Sequence, residues 1–390
     1  MDSKKILWEY FHHLPDGPLR TRACTFLESI RWDELIAFAA AHGQTGSFLP
    51  LVGLGHNHMV RIIEAPDGAR WLARLELPHV LGRQYCDDIL VNKRNAEVNV
   101  VRLLQDRTDI PVPHIYALDL SPDNVVGAPF VIFECLSGNS GMDIQMTIPR
   151  QHIAKVIRDL ARIHVQLSQV RLPKIGSIMR LHADGTVELG PIAGVGGPFD
   201  TASQFFKAWA AATQFPRSAE DIQRASGDYA KRILDSVSTF PQSISEISGI
   251  SVRDSGPFPL WNRDWGWNNT IFDDDLNLLG AIDWEFTISA PWELSAQFPH
   301  GISTVPSSID APSNYNDDGS PKDAELRQTL EDQKAYLRAI REAEIHIGTD
   351  QLLSQALCDR NRHDVARAMG LFEDGKLGLY SEVIKQYGSS

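Results

Sequence analysis

The sequence predicts an α+β fold in two lobes, and two patterns predict it. Over residues 47–137 the apolar residues follow a strand period, punctuated by turn signals and one helical segment. Beyond that the period is mostly helical, except for a hairpin pattern within 257–294 that carries Asp264, Asn269 and Asp283. The lobes divide at Ser137-Gly138-Asn139-Ser140-Gly141, a small-residue break after an apolar run. The expected domains are a helical extension over 1–46, a small lobe over 47–137 and a large lobe over 138–390.

Residues 1–46 read as helical, with Trp32, Leu35, Ile36 and Ala39 at helical spacing and Gly43 as a stop. Over 48–77, two β-like runs flank Asp67-Gly68, a hairpin signal. The first run holds Gly53-Leu54-Gly55-His56-Asn57. Glycines at the head of a hairpin let backbone amides approach a phosphate, and they also mark ordinary turns. The second run, Trp71 to Leu75, contains Arg74. Residues 86–105 read as a helix with an imperfect apolar face of Val91, Ala96, Val98, Val101, Leu103 and Leu104; Glu97 lies on it. Ile110-Pro111-Val112-Pro113 stops that helix.

Two more strands fall within 115–136, around Ser121-Pro122-Asp123-Asn124. An amphipathic helix follows over 149–168, its face built from Ile153, Val156, Ile157, Leu160, Ile163 and Leu167. His164 beside that stripe reads as a core residue. Residues 185–200 form a Gly-rich loop containing Thr186-Val187-Glu188-Leu189, and helices fill 201–213 and 218–240. The polar stretch 301–320 is a loop, and helices over 322–345 and 350–371 complete the pattern.

The formal charge of −13 argues against general nucleic-acid binding, which needs a basic face. No apolar run approaches the ~18 residues of a membrane span. The N-terminal residues lack a signal-peptide core. The four cysteines, Cys24, Cys86, Cys135 and Cys358, are scattered. That is the pattern of reduced thiols in a cytoplasmic protein.

The chemistry concentrates in residues 257–294. Thr270-Ile271-Phe272 and the run Leu278 to Ile282 flank the turn residues Asp273-Asp274-Asp275. If they pair, Asn269 and Asp283 stand at the open end of a hairpin, where both can offer oxygen to a hard cation such as Mg²⁺. Asp264 precedes Asn269 by the spacing D-x-x-x-x-N, that of a kinase catalytic loop followed by a second metal-binding Asp. A surface hairpin with an acidic turn would also carry such residues.

Asn262-Arg263-Asp264, Asn269 and Ile282-Asp283-Trp284-Glu285 together resemble the aminoglycoside phosphotransferase family, in particular its fungal members of unassigned substrate. The segment Leu160 to Ser168, the run Lys174 to Ile178, the Ile110-Pro111-Val112-Pro113 break and Pro291-Trp292-Glu293-Leu294 extend the resemblance over residues 48–300. The chain departs from the family at Asn262, where His is usual. Asn keeps a donor and an acceptor without the ring.

The resemblance implies a protein-kinase-like fold, with an antiparallel-sheet small lobe and a mainly helical large lobe. It also implies ATP and Mg²⁺ as cofactors and the hydroxyl of a small molecule as acceptor. Asp264 would orient and deprotonate that hydroxyl. Asn269 and Asp283 would hold magnesium. Arg74 would stand where a lysine usually grips the nucleotide phosphates, fixed by Glu97, with Gly53 and Gly55 in the phosphate loop. The backbone from Glu134 to Leu136 would meet the adenine. The alternative is a kinase-fold protein without phosphotransfer, prompted by Asn262 and Arg74. A protein kinase fits less well, because Asp283-Trp284-Glu285 is not D-F-G and no A-P-E follows.

Overall fold

The computed structural model describes residues 6–8, 10–78 and 87–388. Cys86 lies outside the described residues, as does the side chain of Val91. Two compact units form: Met1–Val101 with Ile110–Thr147 and Asn268–Glu285, and Arg102–Asp109 with Ile148–Trp267 and Phe286–Ser390. The architecture is α+β as expected, with an antiparallel-sheet unit and a mainly helical one.

Three helices open the chain: α1 (Tyr10–His13), α2 (Pro18–Ser29) and α3 (Trp32–Ala41). Strands β1 (Ser47–Leu54), β2 (His58–Glu64) and β3 (Arg70–Glu76) follow. Helix α4 (Asp87–Arg107) precedes β4 (Ile115–Asp119), β5 (Phe130–Glu134) and the short β6 (Asn139–Ser140). The five longer strands form one antiparallel sheet in the order β1-β2-β3-β5-β4.

Alternation along β3 sorts its side chains between two faces. Ala73 and Leu75 are buried against Phe26, Leu35 and Ala39 of the opening helices. Leu72, on the other face, packs with Val98 of α4, Val131 and Phe133. Arg74 shares the parity of Leu72 and therefore points to the α4 side, from the central strand, opposite Val60 and Val131.

The second unit begins with α5 (Arg150–Gln169), whose Ile153, Val156, Ile157, Leu160, Ile163 and Leu167 are all buried. Each such side chain contributes roughly 1.5–3 kcal/mol by leaving water. Next come β7 (Arg171–Leu172), β8 (Gly176–Leu181) and β9 (Val187–Gly190), then α6 (Ala202–Ala212), opened by a Thr201/Gln204 capping box. The single helix expected over 218–240 is two, α7 (Ala219–Ser226) and α8 (Ala230–Glu246), separated at Gly227.

After β10 (Phe258–Asn262), the expected hairpin forms from β11 (Thr270–Phe272) and β12 (Leu278–Ala281). It belongs by its contacts to the first unit. Ile271 pairs with Ser140 of β6, and the Ala281 amide donates to Pro111 O (2.8 Å).

The remaining elements are β13 (Thr287–Ser289), α9 (Trp292–Ser295), α10 (Ala324–Ile347), α11 (Leu352–Cys358), α12 (Arg360–Glu373) and α13 (Tyr380–Gly388). The second unit's sheet runs β7-β10-β13-β8-β9. Its aromatic core includes Phe206, Phe240, Phe258, Phe372 and Tyr380. His164 is buried in this unit, between the Tyr336 hydroxyl (2.8 Å) and Ser295 O (2.9 Å). Among the described helices none is long and apolar enough to cross a membrane. Cys24, Cys135 and Cys358 are free thiols.

Candidate active site

In the sheet unit, charge gathers around Arg74. Its guanidinium pairs with Glu97 of α4, meets Nδ1 of His58 at 3.0 Å and Oδ1 of Asp283 at 3.3 Å, and approaches Oε2 of Glu285 at 3.7 Å. Lys93 stands one helical turn before Glu97 on α4 and pairs with Glu285. Asn57 Nδ2 donates to Oε1 of the same carboxylate at 3.3 Å.

Three carboxylates thus face two basic side chains, Arg74 and Lys93. Burial alone would lower the pKa of Arg74, but Glu97, Asp283 and Glu285 outweigh it and hold the guanidinium above its ordinary range. Burial pushes the Glu97 carboxyl up to about 7; Arg74 opposes this, and the charges of Asp283 and Glu285 add to it. Glu285 is also raised, by burial first, with Lys93 opposing.

Gly55, His56, Asn57, His58, Val60, Arg74 and Asp283 line one cavity of about 160 Å³. The two glycines of this region differ. Gly53 is needed for packing, because a Cβ there would lie 2.4 Å from Val60 Cγ2 and 3.0 Å from the Trp8 ring. Gly55 lines the cavity, but its amide donates to His58 O (2.8 Å) and closes the turn between β1 and β2.

Asn269 and Asp283 flank the open end of the hairpin, where the Ile282 amide donates to Asn269 O (2.9 Å). Asp283 holds φ at 60°, a left-handed conformation uncommon for a non-glycine residue. Both offer oxygen, the donor chemistry that magnesium takes. A second grouping brings one ligand atom each of His58, Glu97 and Glu285 within 4.8 Å of one another. The Arg74 guanidinium lies against all three and supplies the positive charge there.

Glu134 is exposed. Its amide donates to His114 O (2.8 Å), and its Oε2 accepts from the His114 amide (3.2 Å). Leu136 O accepts from the Gly138 amide (2.9 Å).

In the helical unit, Asp264 lies two residues beyond the end of β10. Its amide donates to Oδ1 of the buried Asn262 (2.9 Å), so Asn262 braces the loop backbone. Arg263 pairs with Glu373 and with Asp374 (2.9 Å). Behind the loop, Trp292 Nε1 donates to Pro257 O (3.1 Å) and Ser295 Oγ to Leu260 O (3.1 Å), which anchor β10. The Asp264 carboxylate meets Nε2 of His300 at 3.4 Å.

Within the sheet unit the fold therefore brings together Arg74, Glu97, Asp283 and Gly55. It adds His58, Lys93 and Glu285, which the sequence reading does not place. Lys93 had one available signal, its i, i+4 spacing to Glu97. His58 and His300 had none.

No protein-family model matches the chain, and no curated protein matches it. Solved structures do. An ethanolamine kinase of Plasmodium vivax shares 14% identity at a TM-score of 0.46, covering 98% of this chain and 88% of that one. A thermostable mutant of aminoglycoside phosphotransferase APH(4)-Ia, in ternary complex with AMP-PNP and hygromycin B, shares 14% identity at 0.46, covering 92% and 99%. Macrolide 2'-phosphotransferase MphH of Brachybacterium faecium shares 14% identity at 0.38, covering 88% and 98%. At TM-scores below 0.5, these likenesses establish neither substrate nor activity for this chain.

Proposed function

We propose that the chain is an ATP- and Mg²⁺-dependent phosphotransferase acting on a hydroxyl of a small molecule. The observation that carries this reading is Arg74: a buried cation on a central strand, fixed by a helix carboxylate, lining a cavity beside the Gly55 turn and Asp283. A permanently charged, two-pronged guanidinium suits phosphate oxygens. Lys93 provides a second cation on the same helix face as Glu97.

In this reading Arg74 and Lys93 neutralise nucleotide phosphates, with Gly53 and Gly55 shaping the loop beside them. The backbone from Glu134 to Leu136 meets the adenine. Asn269 and Asp283 hold magnesium, which supplies charge neutralisation at the phosphates when bound. Asp264 would orient the acceptor hydroxyl and receive its proton as the acceptor oxygen bonds the γ-phosphorus and the bond from that phosphorus to the β-phosphate oxygen breaks, releasing ADP. Catalysis rests on positioning and on fixed charge.

A second reading, a kinase-fold protein that binds without transferring phosphate, has one observation in its favour. The expected metal ligand Asp283 is engaged by Arg74 at 3.3 Å.

Calorimetric titration with ATP separates the two. Phosphotransfer requires magnesium-dependent binding that weakens at least about tenfold in Asp283→Ala, together with ADP release. Magnesium-independent binding without turnover supports the second reading. No nucleotide binding in either form overturns phosphotransfer and favours the second reading, with a ligand other than a nucleotide and a binding, regulatory or different biosynthetic role.

A further inference from the structure

Asn262 occupies the place of the family's histidine and braces the loop through Oδ1, so the loop itself carries no imidazole. A different part of the helical unit brings one. The His300 amide donates to Trp265 O (2.8 Å), and Gly266 and His300 form a parallel bridge. Immediately after, Gly301 holds φ at 103° beneath the Trp267 ring, where a Cβ would lie 2.0 Å from a ring carbon. Only glycine allows the two segments to close this far. The segment 300–301 is thus fastened along residues 265–267, and the fastening delivers Nε2 of His300 to 3.4 Å from Oδ1 of Asp264. Both side chains remain partly exposed, at 41% and 47%, so a small molecule can still reach the carboxylate.

We propose that His300 is a positioning residue for Asp264: its Nε2–H donates to Oδ1 and fixes the direction in which the carboxylate meets the acceptor hydroxyl. Bracing and orienting are divided in this chain. Asn262 holds the loop backbone, and His300 holds the functional group. Small misplacements of a reacting group cost large factors in rate. The role rests on the phosphotransfer reading; the contact itself does not.

Two measurements test it. The first is the ¹⁵N spectrum of the histidine rings, with His300 assigned by its loss in His300→Ala. The Nε2 resonance of His300 moves in Asp264→Ala, which removes the acceptor oxygen. An unmoved Nε2 overturns the contact and the proposal. The second is ADP release from MgATP with water as acceptor. In His300→Ala, kcat falls about 10- to 100-fold with KM for ATP within about twofold of wild type. His300→Gln, which keeps an N–H donor, recovers most of it. Unchanged kcat in His300→Ala, or a Gln variant as slow as the Ala variant, overturns the role. Wild-type protein that releases no ADP overturns the phosphotransfer reading and this role with it. That failure is recognisable because the resonance still moves.

Discussion

Arg74 and Asp264 carry opposite charges in opposite settings. The Arg74 side chain is 13% exposed and touched by four ionisable partners, Glu97, His58, Asp283 and Glu285. The Asp264 side chain is 47% exposed and meets His300. Around Arg74, burial makes every charge depend on its neighbours, so the arrangement is fixed before any ligand arrives. Around Asp264, the backbone is fixed by Asn262 and the β10 anchors while the carboxylate stays reachable. On the proposed reading, the buried end would grip the phosphate chain and the reachable end would admit the acceptor.

The sharpest way to break this comparison is at the open end. Asp264→Ala should cut turnover by about a thousandfold or more and leave nucleotide affinity within about twofold. Its melting temperature should stay near wild type, because an exposed pair contributes little to stability. Near-normal turnover would remove Asp264 from its assigned role. Arg74→Met tests the closed end. It leaves Glu97 and Glu285 short of a buried counter-charge, a loss on the order of 3–5 kcal/mol, so melting temperature and nucleotide binding should fall together. Denaturant melts and calorimetry read the two.

The sheet, the opening helices and the hairpin were legible because each is written in a local period or turn. Arg74 and Glu97 were legible as partners only through resemblance, since residues 23 apart on a strand and a helix share no pattern. His300 was not legible at all, Lys93 only through its spacing to Glu97, and Glu285 only as a motif residue without a partner. The Lys93–Glu285 pair and the Asp264–His300 pair arise from chain reversals, which no local periodicity records. The hairpin's membership in the sheet unit was missed for the same reason. It is decided by pairing with Ser140 and Pro111, far back in the sequence. The break at Gly227 was a local signal that went unused.

A smaller effect sharpens the comparison from within the helical unit. Burial holds His164 down to about 4, with its hydrogen bond to Ser295 opposing. Ser295 O can only accept, so Nε2 carries the proton and Nδ1 accepts from Tyr336. The folded pKa lies below the unfolded one, so the unfolded chain binds the extra proton first. Stability is complete above about pH 6.5 and is lost as pH falls toward 4, by roughly 3 kcal/mol. Melts across that window should flatten in His164→Asn. An equally steep wild-type and variant profile would assign the acid sensitivity elsewhere.

The smallest expected change is Lys93→Met. With Arg74 still in place, nucleotide affinity should fall only several-fold. A loss as large as that of Arg74→Met would make Lys93 the principal phosphate cation.

The placement of residues 268–285 also has a consequence for synthesis. The sheet unit is completed by a segment made more than a hundred residues after Thr147. A ribosome-bound chain that has emerged only that far holds Arg74 and Lys93 without Asp283 and Glu285, and β6 without its neighbour β11. Its N-terminal portion must wait, partly assembled, while the first half of the helical unit is translated. Such a waiting intermediate is the stage at which exposed strand edges invite misassociation. Chaperone demand during expression should therefore fall on the first 147 residues rather than on the finished fold.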